Sequence, residues 1–216
     1  ANITATAETI ISKEEKKLKR AVELSAKDSE ALSEALLELG LFYFSHKKYE
    51  DYGNTAKRYL DLNPNSVNAL YNMGLAYNKL SKYKEAENLF QRSIDINPNF
   101  KLSYLRLGEA YILLNKSKEA KQMYIQFIRL SDVYKEEPAI RLARLYMESN
   151  ESSLAYESFH IILTKNPNKV QEILWLGELY RELNKTDDAL NLFKRTIKKN
   201  PNNYSAYGEL ALYHLD

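Results

Sequence analysis

The tripeptide Asn-Pro-Asn occurs four times, at Asn63-Pro64-Asn65, Asn97-Pro98-Asn99, Asn166-Pro167-Asn168 and Asn200-Pro201-Asn202, with the prolines 34, 69 and 34 residues apart. A period in this range marks a supersecondary unit that cannot bury its apolar face alone and must stack on copies of itself. Four glycines check the period independently, because Gly40, Gly74, Gly108 and Gly177 are separated by 34, 34 and 69 residues. A step of 69 is 34 plus 35, so one repeat between Gly108 and Gly177 has lost its glycine and its proline. Aligning Leu142 to Tyr146 with Leu107 to Tyr111 puts Ala143 in the glycine slot and Ser131-Asp132 in the place of Asn-Pro.

With the glycine counted as the eighth position, the units are 33–66, 67–100, 101–135, 136–169 and 170–203, followed by a partial sixth at 204–216 and preceded by residues 1–32. Each unit reads as two helices. In 67–100, Leu70, Met73, Tyr77 and Leu80 describe one helical stripe and Ala86, Leu89, Phe90, Ile94 and Ile96 a second, with the polar turn Ser81-Lys82 between them. Proline lacks an N–H and disfavours helix in the residue before it, so each Asn-Pro-Asn stops a second helix. Pro138 is compatible with this scheme if it sits in a first helical turn, where a missing donor is harmless.

This pattern resembles the tetratricopeptide repeat, a helix-turn-helix of 34 residues with large residues at positions 4, 7, 11 and 24, small ones at 8 and 20, and proline at 32. Position 8 carries Gly40, Gly74, Gly108, Ala143 and Gly177, and position 11 carries Tyr43, Tyr77, Tyr111, Tyr146 and Tyr180. Position 20 carries Tyr52, Ala86, Ala120, Ala155 and Ala189, and position 24 carries Ala56, Phe90, Tyr124, Phe159 and Phe193. The first unit departs from the rest, with bulky Tyr52 and small Ala56 exchanged in size, which reads as a volume swap within one contact. The resemblance covers residues 33–216 and implies an all-α solenoid of stacked helix-turn-helix repeats wound as a right-handed superhelix.

Net charge is +2, from 31 basic and 29 acidic residues, too small to point to nucleic acid or a membrane surface. The run Lys16-Lys17-Leu18-Lys19-Arg20 follows Glu14-Glu15 and reads as the solvated face of an N-terminal helix. Ser12 and Glu15 have capping-box spacing and predict that this helix starts near Ser12, as a cap on the array. At the other end, Tyr207, Leu210 and Ala211 stand at the positions expected of a first helix. No stretch has the length of a transmembrane helix. With no cysteine the chain has no disulfide and no thiolate metal site, and the compartment stays open. The sequons at Asn115 and Asn184 read as products of polar, asparagine-rich turns.

Nothing in the chain has the spacing of a catalytic or metal-binding constellation. His46, His160 and His214 fall at unrelated repeat positions, and the glycines form no phosphate cradle. No cofactor and no catalysis are therefore expected within this segment. Binding is the positive reading, because side-by-side first helices form a surface whose exposed positions, by the resemblance, are 2, 5, 6, 9, 12 and 13. The expected peptide-binding residues are Leu37, Leu41, Tyr71, Asn72, Leu75, Leu105, Arg106, Arg141, Arg144 and Trp175. The leucines and Tyr71 would supply burial, while Asn72 and the arginines would fix register on a ligand's backbone or acidic groups.

Trp175, the sole tryptophan, stands at position 6, where the fold gives no packing reason for it, so it reads either as a binding residue or as a ring stacked on Arg141 or Arg181. Glu109, Glu148 and Glu178 are the candidate partners of the arginines. Some tetratricopeptide arrays clamp an acidic chaperone tail with five polar residues. Here the corresponding slots hold Leu37, Leu41, Asn72, Leu102 and Arg106, which disfavours that ligand and favours an apolar or amphipathic segment. The expected partner is thus a protein or peptide. Two other readings stand beside it: assembly of homo-oligomers through the terminal helices, and a recruiting or regulatory segment of a larger enzyme.

Overall fold

The computed structural model describes residues 2–131, 133–166 and 169–213, and the side chains from residue 8 onward within that range. Asp132, Pro167, Asn168 and His214, whose roles the sequence suggested, lie outside the described residues. The chain forms two compact units, residues 1–116 and 117–216, and all regular structure among the described residues is helical.

The first unit contains α1 (Asn2–Leu24), α2 (Ser29–Ser45), α3 (Tyr49–Leu62), α4 (Val67–Lys79), α5 (Tyr83–Ile96) and α6 (Lys101–Leu113), each packed on the next. The second contains α7 (Ser117–Arg129), α8 (Glu136–Glu148), α9 (Ser152–Lys165), α10 (Val170–Glu182), α11 (Thr186–Lys199) and α12 (Tyr204–Leu212), with the same sequential packing and an added contact of α12 on α10. Each unit is a solenoid of helix pairs around a continuous apolar strip. One strip is built on Leu36, Tyr43, Leu70 and Met73, the other on Phe159, Ile173, Tyr180 and Phe193.

The turns inside the pairs are nearly identical. Lys47, Ser81, Asn115, Asn150 and Asn184, all at position 15, adopt left-handed backbone with φ between 53° and 59°. The following N–H reaches back to the carbonyl of the position-11 tyrosine, as Lys82 does to Tyr77 and Lys116 to Tyr111, closing the helix end in a Schellman-type turn. Asparagine tolerates this conformation best after glycine, which is why the sequons at Asn115 and Asn184 fall at these turns. Two of the Asn-Pro-Asn turns also share a device: Asn97 and Asn200 each accept, through Oδ1, the N–H two residues on. Pro138 lies in the first turn of α8 and is buried.

One expectation at the ends is corrected, and the other, a first helix at 204–216, is met by α12. Ser12 lies in the middle of α1 and is no cap, because the helix runs back to Asn2. Its apolar face still docks as the spacing predicts, with Val22 buried and Ile11, Leu18 and Ala21 packed on the first core. In α12, Tyr207 and Ala211 are exposed, while Glu209 is buried. α12 packs on α10 and α11 of the preceding repeat. Smaller differences are that α2 begins at Ser29, one turn before the first repeat, and that Ile96 is exposed.

Candidate functional site

Small residues at position 8 bring helices together because an aromatic ring takes the place of the missing Cβ. A Cβ on Gly74 would lie 2.6 Å from the Phe90 ring, so that ring sits directly on the α4 backbone. In the first pair the partner changes: Tyr52, from position 20, lies over Gly40 at 3.4 Å from a would-be Cβ, and Ala56 replaces the position-24 aromatic.

That exchange leaves space. A cavity of about 170 Å³ opens between α2 and α4 over α3, lined by Leu36, Gly40, Tyr52, Ala56, Tyr59 and Ala69 within, and by Leu37, Leu41, Asn68 and Asn72 toward the surface. Leu37 and Leu41 are 46% and 67% exposed. The side-chain amides of Asn68 and Asn72 make no hydrogen bond among the described residues.

Along the same first helices, Tyr71, Leu75, Leu105 and Arg106 are half-buried and Leu102 is exposed. Tyr71 is tied to the framework, its ring edge-on to Phe100 with centroids 5.4 Å apart and tilted against Phe90 at 5.9 Å. Arg106 donates to Glu109 at 2.9 Å and, at 3.5 Å, to the Tyr71 hydroxyl. Burial alone would ease its proton off, but these two partners outweigh burial and hold the guanidinium more firmly protonated than usual. Glu109 is thus the partner expected, and Arg106 anchors Tyr71 as well.

In the second unit, Arg141 pairs with Glu137 on its own helix at 2.6 Å, a partner the sequence reading missed although the two stand four apart. Arg144 reaches Glu148 only at 4.0 Å. Its guanidinium lies over the Trp175 ring, 5.3 Å from the centroid, and Phe159 packs on the ring at 5.5 Å. Trp175 therefore stacks on Arg144 and not on Arg141 or Arg181. Arg181 is engaged elsewhere: it bonds Glu209 of α12 at 2.7 Å, Glu209 being only 7% exposed, while the Tyr213 hydroxyl donates to the Gly177 carbonyl at 3.1 Å. Glu178 is exposed and has no ion-pair partner among the described residues.

Three joints between repeats carry a contact between position 21 of one repeat and position 16 of the next. Lys116 bonds Glu87 at 2.8 Å and lies over Tyr111 at 5.3 Å. In the fourth repeat the charges are reversed, since Glu151 receives Lys121, which lies over Tyr146. Lys185 sits over the Tyr156 ring at 4.0 Å. At the N-terminus Glu15 of α1 plays the same part toward Lys48 and Lys19.

Among the described residues no group of three histidine or carboxylate side chains could hold a metal ion, and no helix is long and apolar enough to cross a membrane.

Residues 67–100, 89–122 and 173–203 match family models described as tetratricopeptide repeat, the first spanning the same residues as the second repeat counted from the glycines. A comparison with curated protein sequences finds no match. Among solved structures the chain is similar to MamA (TM-score 0.67, 19% identity, 78% of this chain and 92% of that one). It is also similar to YrrB, described as a TPR protein with an unusual peptide-binding site (TM-score 0.68, 17% identity, 88% and 96%). A third is a tetratricopeptide repeat protein from Parabacteroides merdae (TM-score 0.66, 16% identity, 97% and 81%). The recurring glycine, tyrosine and proline positions, the paired helices and these matches lead to one conclusion: the chain belongs to the tetratricopeptide-repeat family.

Proposed function

We propose that this protein is a non-catalytic interaction scaffold that holds a peptide segment of a partner protein on the first helices of its repeats. The observation that carries the reading is the run of accessible apolar side chains on consecutive first helices of residues 1–116, from Leu37 and Leu41 through Leu75 to Leu102 and Leu105. These side chains are not needed to close the core, and such accessible rows on rigid helices suit a segment read as spaced anchors. Arg106 contributes through its hold on Tyr71. Arg141, Arg144 and Trp175 form a second, more charged patch on residues 117–216. The YrrB description is in keeping with this reading.

Selection from a display library of random peptides on the immobilised protein, followed by calorimetry, tests it. Peptides rich in apolar residues should be enriched and should lose affinity to a Leu37→Asp, Leu41→Asp variant. If no peptide is enriched over bare matrix, the reading is overturned.

A second reading rests on α12, where Tyr204 is 79% exposed and Tyr207 and Leu212 are also exposed. Self-association through that face would give a sedimentation coefficient that rises with concentration and falls back in Tyr204→Lys, Tyr207→Lys.

A further inference from the structure

The cavity beside Ala56 has a cause that also states what fits it. In the second, fourth and fifth repeats the position-24 side chain is an aromatic with no exposure: Phe90, Phe159 and Phe193. Phe90 lies against the glycine of its own repeat. The equivalents in the first pair are Ala56 and Gly40, and both line the cavity. Tyr52 covers part of Gly40 from the position-20 side, but its ring stands in the wall and does not occupy the space. The remaining volume, about 170 Å³, compares with the roughly 150 Å³ of an engineered cavity that takes up benzene. The void is therefore the size of one phenyl ring.

Its surroundings select further. The floor is apolar and buried, with Leu36, Ala56 and Ala69 all below a tenth exposed, and the Tyr52 and Tyr59 rings line the space, aromatic neighbours of the kind another ring packs against favourably. At the mouth, the unbonded amides of Asn68 and Asn72 can pair with the backbone of an extended chain. On α2 the carboxylates of Glu30, Glu34 and Glu38 are exposed, spaced by four residues, and have no ion-pair partner among the described residues. Glu34 and Glu38 stand one turn from Leu37 and Leu41 at the rim. A ligand cation beside the ring would meet uncompensated negative charge, and a ligand carboxylate would be repelled.

Resting on the peptide-binding reading above, we infer that the Ala56 cavity is an anchor pocket for one phenylalanine side chain of a partner segment that carries lysine or arginine next to it. The missing internal aromatic of the first repeat is supplied by the partner. Specificity would come from the two halves together, the ring filling space that neighbouring repeats fill from within, and the cation answering the acidic row of α2.

The test is a titration of the full chain, labelled with ¹⁵N, with a short capped peptide holding phenylalanine between two lysines. Amide shifts at Gly40 and Ala69 should move, and the peptide should bind about tenfold or more tightly than its alanine-for-phenylalanine counterpart. Replacing the lysines by glutamate should also weaken it. Ala56→Phe should abolish the response at Gly40 and Ala69 while melting no lower than the wild type, because the added ring enters existing space; Ala56→Leu should weaken it in part. Equal binding of the phenylalanine and alanine peptides, undiminished binding to Ala56→Phe, no binding at all, or a marked drop in melting temperature of Ala56→Phe would each overturn the inference. Library-selected peptides that bind wild type and Ala56→Phe alike would sink the pocket and leave the broader scaffold reading standing, whereas failure to select any peptide would sink that reading itself.

Discussion

The Tyr52 ring rests on Gly40 from a position one helical turn before the one that Phe90 uses to rest on Gly74. The repeat needs a ring against its glycine, and the first pair supplies it from position 20 instead of position 24. Tyr52→Ala should therefore strip the ring from this contact and cost about 3–5 kcal/mol. Tyr52→Ala with Ala56→Phe, which restores the arrangement of the second pair, should recover most of that loss. Urea melts of the three proteins check this, and an additive double variant would contradict it.

Glycines at one repeat position differ in what they tolerate. A Cβ on Gly74 would press into the Phe90 ring at 2.6 Å, whereas one on Gly40 would meet Tyr52 at 3.4 Å. Gly74→Ala is expected to destabilise by about 1–3 kcal/mol. Gly40→Ala should be near neutral, since the gain in helix propensity, up to about 1 kcal/mol, offsets a tight contact. Thermal unfolding of the two variants separates the cases, and equal effects would refute these ring contacts.

Glu15 gives the array an acid-sensitive end. Hydrogen bonds from Lys19 and then Lys48 hold its carboxyl at about 2, against an ordinary 4.5, despite opposing desolvation. A carboxyl lowered on folding stabilises fully above its unfolded value, and that contribution is lost as pH falls from about 4.5 through about 2. Glu15→Gln should thus melt lower than wild type at neutral pH, with the gap closing toward pH 2. A gap of constant size across this range would show that the Glu15 charge does not hold α1 to its neighbours.

The left-handed turn residues offer a gain. Ser81 holds φ of 59°, which a residue with a Cβ adopts at a cost of about 1–2 kcal/mol. Ser81→Gly should stabilise by about 0.5–1 kcal/mol once the added freedom of the unfolded chain is subtracted. Ser81→Val, branched at Cβ, should do the reverse. Differential scanning calorimetry on the two variants decides it.

The period, the helix pairs and the tyrosine and glycine slots were legible in the sequence because each depends on a residue type that acts locally: proline stops a helix, and glycine admits a close neighbour. The exposure of Leu37, Leu41 and Leu102 on the first helices followed from the same count. Which arginine covers Trp175 did not, since Arg144 and Arg141 stand on one face of α8 and only side-chain geometry chooses between them. Ser12 misled because capping-box spacing carries no information on whether the helix has already begun. The size exchange of Tyr52 and Ala56 was visible, but the cavity was not. Its existence depends on where the tyrosine ring settles.

The contacts between positions 21 and 16 bear on whether the repeats can be exchanged. Glu87 meets Lys116, Lys121 meets Glu151, and Tyr156 meets Lys185. Repeats so similar in backbone invite slippage, deletion by recombination and pairing with the wrong neighbour. Excising 101–135 would set Glu87 against Glu151, two carboxylates, at a joint where an acid now meets a base. Excising 136–169 would set Lys121 against Lys185. At these three joints modules of one shape thus carry different labels, two of them written in opposite charges and one in a cation on a ring.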